Sequence, residues 1–381
     1  FEGCSSLEVL EIPNSTTTIE NNAFAGCTAL KTLSIPSSII VIGNDVFAGC
    51  SNLSYINFEE SSSEIKVGYS EEVGGKIAPL FQDCPLESVI MGRNINSAQE
   101  GLCCFSKNTT LKNVTVSSNV TKIEEGAFLD CSNLESITIP RSVTHIGEWA
   151  FSGAGIKSIV FEDGYDELIF SLSVGDWDYK TPHTFSRCKI EDAYIGRNLK
   201  VSGGAQNPGY GGNPSTFFPT TLNNLVIGDY VSNIDVLLMN NQKVTSSLSH
   251  YPNLVAAQFG VNLPQLPSMA NNELLESLAT SSTVPPTVNP FANSQYMDLN
   301  VEVPQGSLNV YQEAPIWKNF WNLSQNESLL HCIEVDGILY KIISDTSVEV
   351  IKKGTEYSGE MVIPSYICLL YTSDAADEAR S

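Results

Sequence analysis

Cysteine is the residue type best placed to do chemistry in this chain. Cys4, Cys27 and Cys50 recur every 23 residues, and Cys131 stands at the same point of a later copy, among ten cysteines in all. Such regularity admits disulfide bridges, thiolate–metal ligation or reactive thiols. Cysteines at one point of a repeat lie on neighbouring turns of chain, close enough to bridge, but their side chains run parallel where a bridge needs them to converge. Buried thiols packing as small apolar groups are therefore expected. No Cys-x-x-Cys or zinc-like Cys/His spacing occurs, and the adjacent Cys103 and Cys104 fit no scheme.

The remaining reactive types are no better organised. His145, His183, His250 and His331 are scattered, with no Gly-x-Ser-x-Gly elbow or His-Glu-x-x-His helix around them. Asp176-Trp177-Asp178, with Glu162, Asp163, Asp166 and Glu167, could offer oxygens to calcium, but the regular spacing of a calcium loop is missing. The expectation is a chain without catalytic residues, metal or cofactor.

Composition narrows the partners. Twenty Lys plus Arg face 43 Asp plus Glu, a net charge of −23 that repels phosphate backbones and so argues against nucleic acid. No apolar run reaches the roughly 18 to 20 residues of a membrane helix, so no transmembrane segment is expected in this stretch. The sequence opens at Phe1 within a repeat and without Met, which reads as a fragment. Residues 368–381, with Tyr371-Thr372-Ser373-Asp374, are expected to be a non-native, adapter-like tail.

The elements that position these residues are repeats. Phe1-Glu2-Gly3-Cys4 returns as Phe24-Ala25-Gly26-Cys27 and Phe47-Ala48-Gly49-Cys50, and again at Phe105, Phe128 and Phe151. Behind each comes an apolar set: Leu30, Leu33 and Ile35 in one copy, Leu134, Ile137 and Ile139 in another. A longer echo places Phe24, Phe47, Phe81 and Cys84 again at Phe128, Phe151, Phe185 and Cys188, 104 residues on, and Gly92-Arg93-Asn94 again at Gly196-Arg197-Asn198.

Each unit reads as one coil of a solenoid. Leu-x-x-Leu-x-Ile alternates like a short strand with one buried face, Pro13, Pro36 or Pro140 stops it, and an Ile-Gly-x-x-x-Phe return carries the chain round the back. Phe24, Cys27, Leu30, Leu33, Ile35, Phe47, Cys50, Phe128, Cys131, Leu134, Ile137 and Phe151 are expected in the core. A lone coil cannot cover them, but stacked coils can.

Written out, Phe-x-Gly-Cys-x-x-Leu-x-x-Ile-x-Ile-Pro, running on to Ile-Gly-x-x-Ala-Phe, resembles the BspA-like leucine-rich-repeat family. That resemblance implies a bacterial surface or secreted protein, adhesion or ligand binding, and no catalytic residues to carry over. The fold class expected is a β-rich leucine-rich-repeat solenoid with a parallel sheet on one face.

The domain plan follows. Residues 1–260 form the solenoid, with insertions near 60–80, 162–184 and 203–216. Residues 261–330 hold degenerate repeats and a cap: a last strand near Leu299 to Val303, a proline stop, a short helix from about Ser307 and an aromatic group. Residues 331–367 begin a further β module with a hairpin. The strand face turned from the core, a candidate concave face, should carry Val9, Glu11, Ser34, Tyr55, Asn57, Thr115, Thr138, Asp192 and Tyr194. Such an extended, shallow surface suits a protein or glycan ligand outside the cell better than a small substrate, with Tyr55 and Tyr194 as leading contacts. A structural stalk presenting another domain is the competing expectation.

Overall fold

The computed structural model describes residues 1–68, 80–81, 83–97, 104–171, 183–202, 217–240, 243–288, 290–329, 332–335, 338–344 and 347–351. Residues 203–216, Asp176 to Asp178, Cys103, His331 and the tail at 368–381, all singled out above, lie outside them.

The chain coils as a solenoid with parallel strand ladders on two sides. The front ladder begins with the four-stranded sheet Thr32–Ile35, Tyr55–Phe58, Ser88–Met91 and Asn113–Val116. It resumes as eight parallel strands running from Ser136–Ile139 through Ser158–Phe161, Asp192–Ile195, Asn224–Ile227, Ala256–Phe259, Ser277–Thr280 and Asn300–Pro304 to Asn322–Asn326. The back ladder consists of Thr18–Ile19, Val41–Ile42, Ile65–Val67 and Ile95–Ser97, then Lys122–Ile123, His145–Ile146, Leu168–Ser171 and Leu199–Ser202.

This second ladder corrects the expectation of a plain return stretch. Val41, Ile42 and Ile146 are β-branched and pair readily with the next coil, so the back of each coil also extends. It also narrows two insertions. Residues 65–67 and 168–171 are ladder strands, so the supposed insertions at 60–80 and 162–184 cannot start before these strands end.

Alternation governs the front strands: Leu33, Ile35, Ile56, Phe58, Ile137 and Ile139 point inward and are buried. Behind them stands a column of phenylalanines. Phe24, Phe47, Phe81, Phe105, Phe128, Phe151 and Phe185 stack with neighbouring centroids 4.9–5.9 Å apart, and from Phe81 onward the planes lie within 7° of parallel. Parallel coils place the same ring at the same depth each time, so every ring is covered by two copies of itself. Each such pair adds about 0.5–1.5 kcal/mol beyond simple burial.

The cysteines form a second column. Cys27, Cys50, Cys84, Cys131 and Cys188 are buried, free thiols, each donating to the carbonyl of the phenylalanine one coil back: Phe1, Phe24, Phe47, Phe105 and Phe151, at 3.0–3.4 Å. Where the chain carries Asn108 at this place, its amide donates to both Phe81 and Cys84 carbonyls. The position needs a small donor, and a thiol is the most apolar one available.

Glycine in the Ile-Gly step is set by crowding. A Cβ on Gly147 would strike the backbone of Glu124 and Glu125 in the preceding coil, and one on Gly43 would strike Asn21. Successive coils therefore touch main chain to main chain at this corner.

Residues 295–329 close the stack. The helix Leu308–Glu313 begins after Ser307, and Phe291, Tyr296, Tyr311, Trp317 and Phe320 pack edge-to-face or tilted behind it. Asn300–Pro304 is not the last strand, however: Asn322–Asn326 pairs with it along its whole length, adding one more parallel rung beyond the helix. Beyond it Cys332–Val335, Ile338–Ser344 and Ser347–Ile351 form an antiparallel three-stranded sheet.

Candidate functional site

The front ladder is broken at one place. Asn113–Val116 lies alongside Ser136–Ile139, yet the two strands do not pair. Elsewhere the residue after a front strand donates back to the coil before it, as Ser117 N does to Met91 O at 2.9 Å and Glu162 N does to Ile139 O at 3.0 Å. At the break that residue is Pro140, which has no N–H to give. Pro36 stands at the matching point of the first block, and there too the preceding segment, residues 8–12, forms no strand. Glu11 and Val9, expected on the sheet face, are thus exposed residues outside any strand.

Opening the ladder exposes what it normally covers. Val114 and Val116 occupy inward positions but are only half-buried, unlike their counterparts in the neighbouring coils. A recess of about 410 Å³ forms over them, lined by Lys112, Val114, Thr115, Val116, Ile137, Thr138 and Glu162 among others. Thr115 and Thr138, exposed positions of the two strands, both line it.

A second cleft, of about 680 Å³, adjoins the first through Pro140 and Glu162. It collects the turns that follow the front strands: Arg141, Glu162, Asp163, Tyr165, Asp166 and Tyr230. The rings of Tyr165 and Tyr230 meet edge-to-face at 4.9 Å.

Two buried arginines anchor this region and its duplicate. Arg197 is fully buried and donates from Nη1 to Arg141 O and from Nη2 to Pro140 O, both at 2.9 Å. Burial pushes its pKa down to about 10, against the opposing pull of Glu162 and Asp166. Arg93, its equivalent in the first block, donates to the carbonyls of Pro36, Ser37 and Ile39. Each guanidinium holds the carbonyls of the turn that follows the proline. Beside them, Asn94 and Asn198 accept from the backbone N–H groups of Thr121 and Lys122, and of Ser232 and Asn233, where the back ladder stops.

The other face residues fall into two separate groups. In the first block Asn57 donates to Ser34 at 3.1 Å, and Tyr55 is half-buried in the same strand. In the second, Asp192 accepts from Asn224 at 2.6 Å. Tyr194 is not a freely presented ring: its hydroxyl donates to Asp163 at 2.6 Å, and burial, reinforced by Asp163, drives its pKa well upward. His183 stacks on Trp149 and bonds the buried Glu148 at 3.1 Å. Among the described residues no group of three His, Cys, Asp or Glu side chains could hold a metal ion, and no helix is long and apolar enough to cross a membrane.

The motif-based search missed Arg141, Tyr165 and Tyr230. Their only sequence signal is their place just after a front strand, since they share no spacing.

These features define a leucine-rich-repeat solenoid with two parallel ladders. Residues 1–70 and 78–171 match, in six copies, the family described as BspA type Leucine rich repeat region. Several solved structures are similar, among them the following three. A leucine-rich repeat protein from Bacteroides ovatus is 17% identical, over 84% of this chain and 93% of that one, with a TM-score of 0.29. A leucine rich cell surface protein from Faecalibacterium prausnitzii is 21% identical, over 84% and 79%, with a TM-score of 0.31. The pneumococcal vaccine antigen PcpA is 17% identical, over 81% and 69%, with a TM-score of 0.29. Among curated proteins, none matches the sequence.

Proposed function

We propose that this chain is a non-catalytic binding protein of the bacterial surface or exterior, acting in adhesion, that holds a host or microbial protein or glycan on its front face. The observation that carries this reading is the recess between Thr115 and Thr138. It interrupts an otherwise shallow polar sheet and uncovers apolar side chains that a stalk would gain by burying. The BspA-type repeat supports the extracellular placement, because its family is largely one of surface and secreted proteins.

The test is to screen the purified chain against immobilised matrix proteins and a glycan array, beside a Thr115→Arg/Thr138→Arg variant that fills the recess. Binding by the parent and its loss in the variant are expected. A parent that binds nothing would favour the stalk, and turnover of an arrayed glycan or peptide would restore an enzymatic reading.

A further inference from the structure

We propose that the tyrosine-bordered cleft receives the guanidinium of an arginine carried on an extended peptide of a partner protein. This deepens the reading above and rests on it, since it takes the front of the solenoid as the binding surface.

The walls of the cleft suit such a group. Tyr165 and Tyr230 stand at 80° to one another, Tyr165 is 46% exposed, and both line the cleft. A cation is drawn to a ring face, and a planar guanidinium stacks there better than a compact ammonium. Three carboxylates, Glu162, Asp163 and Asp166, line the same cleft against one lining guanidinium, Arg141. A second guanidinium, Arg197, lies buried behind it and is held by the carbonyls of Pro140 and Arg141.

Two of the acids are held in place from within. The backbone N–H of Arg141 donates to Glu162 Oε2 at 3.1 Å, and Tyr194 donates to Asp163 Oδ1. Fixed carboxylates beside an aromatic wall match the fork of an arginine, which can bond an acid while stacking. The chain's charge of −23 steers basic partners toward it at longer range.

The adjoining recess argues that the arginine arrives on a peptide. It carries the half-buried Val114 and Val116 among polar neighbours, and its walls are two strands that do not pair with each other. An extended segment can lay an apolar side chain over this opening while its arginine reaches the tyrosines. A neutral sugar could use rings and carboxylates, but it would draw nothing from the charge.

The experiment titrates the full chain with the peptide Ac-Gly-Arg-Leu-Gly-amide and with its citrulline isostere, which keeps the shape and loses the charge. Tyrosine-ring NMR signals report occupancy, and Tyr165→Leu and Asp166→Asn are tested beside the parent after thermal melts show that they fold alike. Binding of the arginine peptide is expected, weakened about tenfold or more by citrulline and severalfold by each variant, and weakened by salt. Equal binding of the citrulline peptide, indifference of both variants, or no arginine-peptide binding each overturns the proposal. Partner binding in the array screen that survives both variants overturns it too while leaving the adhesion reading intact. No partner binding at all defeats that reading itself.

Discussion

Arg197 donates from Nη2 to the carbonyl oxygen of Pro140 at 2.9 Å, across 57 residues of sequence. The bond skips the intervening coil and ties the turn at the ladder break to the Gly-Arg-Asn corner of a later one. The buried guanidinium thus ties the turn that follows the open rung to the body of the solenoid.

Removing that guanidinium should therefore loosen the break. Arg197→Met removes the donor to the part-buried Arg141 carbonyl and one of the two donors to Pro140 O, which keeps the Val143 N–H, at about 0.5–1.5 kcal/mol each. Arg197→Lys should recover little, because one ammonium cannot span both oxygens as a fork does. Urea melts of the two variants check this; a lysine variant as stable as the parent would count against the clamp.

Restoring a backbone donor should do the reverse. Pro140→Val supplies an N–H opposite Val116, and the ladder is expected to close with a gain of about 0.5–1.5 kcal/mol. Hydrogen exchange at residues 136–140 should slow and the recess should shrink. If exchange there is unchanged, proline is not what holds the strands apart.

The cysteine column should be chemically silent. Burial raises Cys50 to about 11 and Cys188 to about 12, in each case mainly by desolvation, so little thiolate forms near neutrality. Maleimide applied to the native chain should modify exposed Cys4 and spare Cys27, Cys50, Cys84, Cys104, Cys131 and Cys188 until urea is added. Peptide mass mapping reads the result, and rapid native labelling of Cys50 or Cys188 would contradict it.

His250 should make the fold acid-sensitive near neutrality. Burial lowers its pKa, only partly offset by the bond from Nε2 to Leu237 O at 2.7 Å. The unfolded chain takes up the proton at the ordinary value of about 6.5, while the native state resists it. The stability that this neutral ring contributes is complete above about pH 6.5 and declines as pH falls below it. Thermal midpoints from pH 7.5 to 5.5 should drop more steeply in the parent than in His250→Phe; parallel curves would rule the histidine out as the cause.

The sequence by itself determined the repeating part of this protein. Phe24, Cys27, Leu30 and their copies announce a buried column because identical spacing forces identical depth in stacked coils, and the reading needed no long-range knowledge. Tyr311, Trp317 and Phe320 likewise cluster in sequence as they do in space. The second ladder was less legible. Two-residue strands such as Val41–Ile42 are too short to alternate visibly, and they exist only because the next coil lies beside them.

Only the tertiary structure decided where the coils part and what gathers there. Pro140 reads as a plain strand stop, identical to Pro36, and nothing local says that a rung is lost or that Arg197 stands behind it. Tyr165 and Tyr230 lie 65 residues apart with no shared motif. They meet because each follows a front strand, and stacking brings those turns to one edge. Periodicity fixes the position of a residue within its coil, whereas a site is built from residues of different coils, and only the stacked fold brings those together.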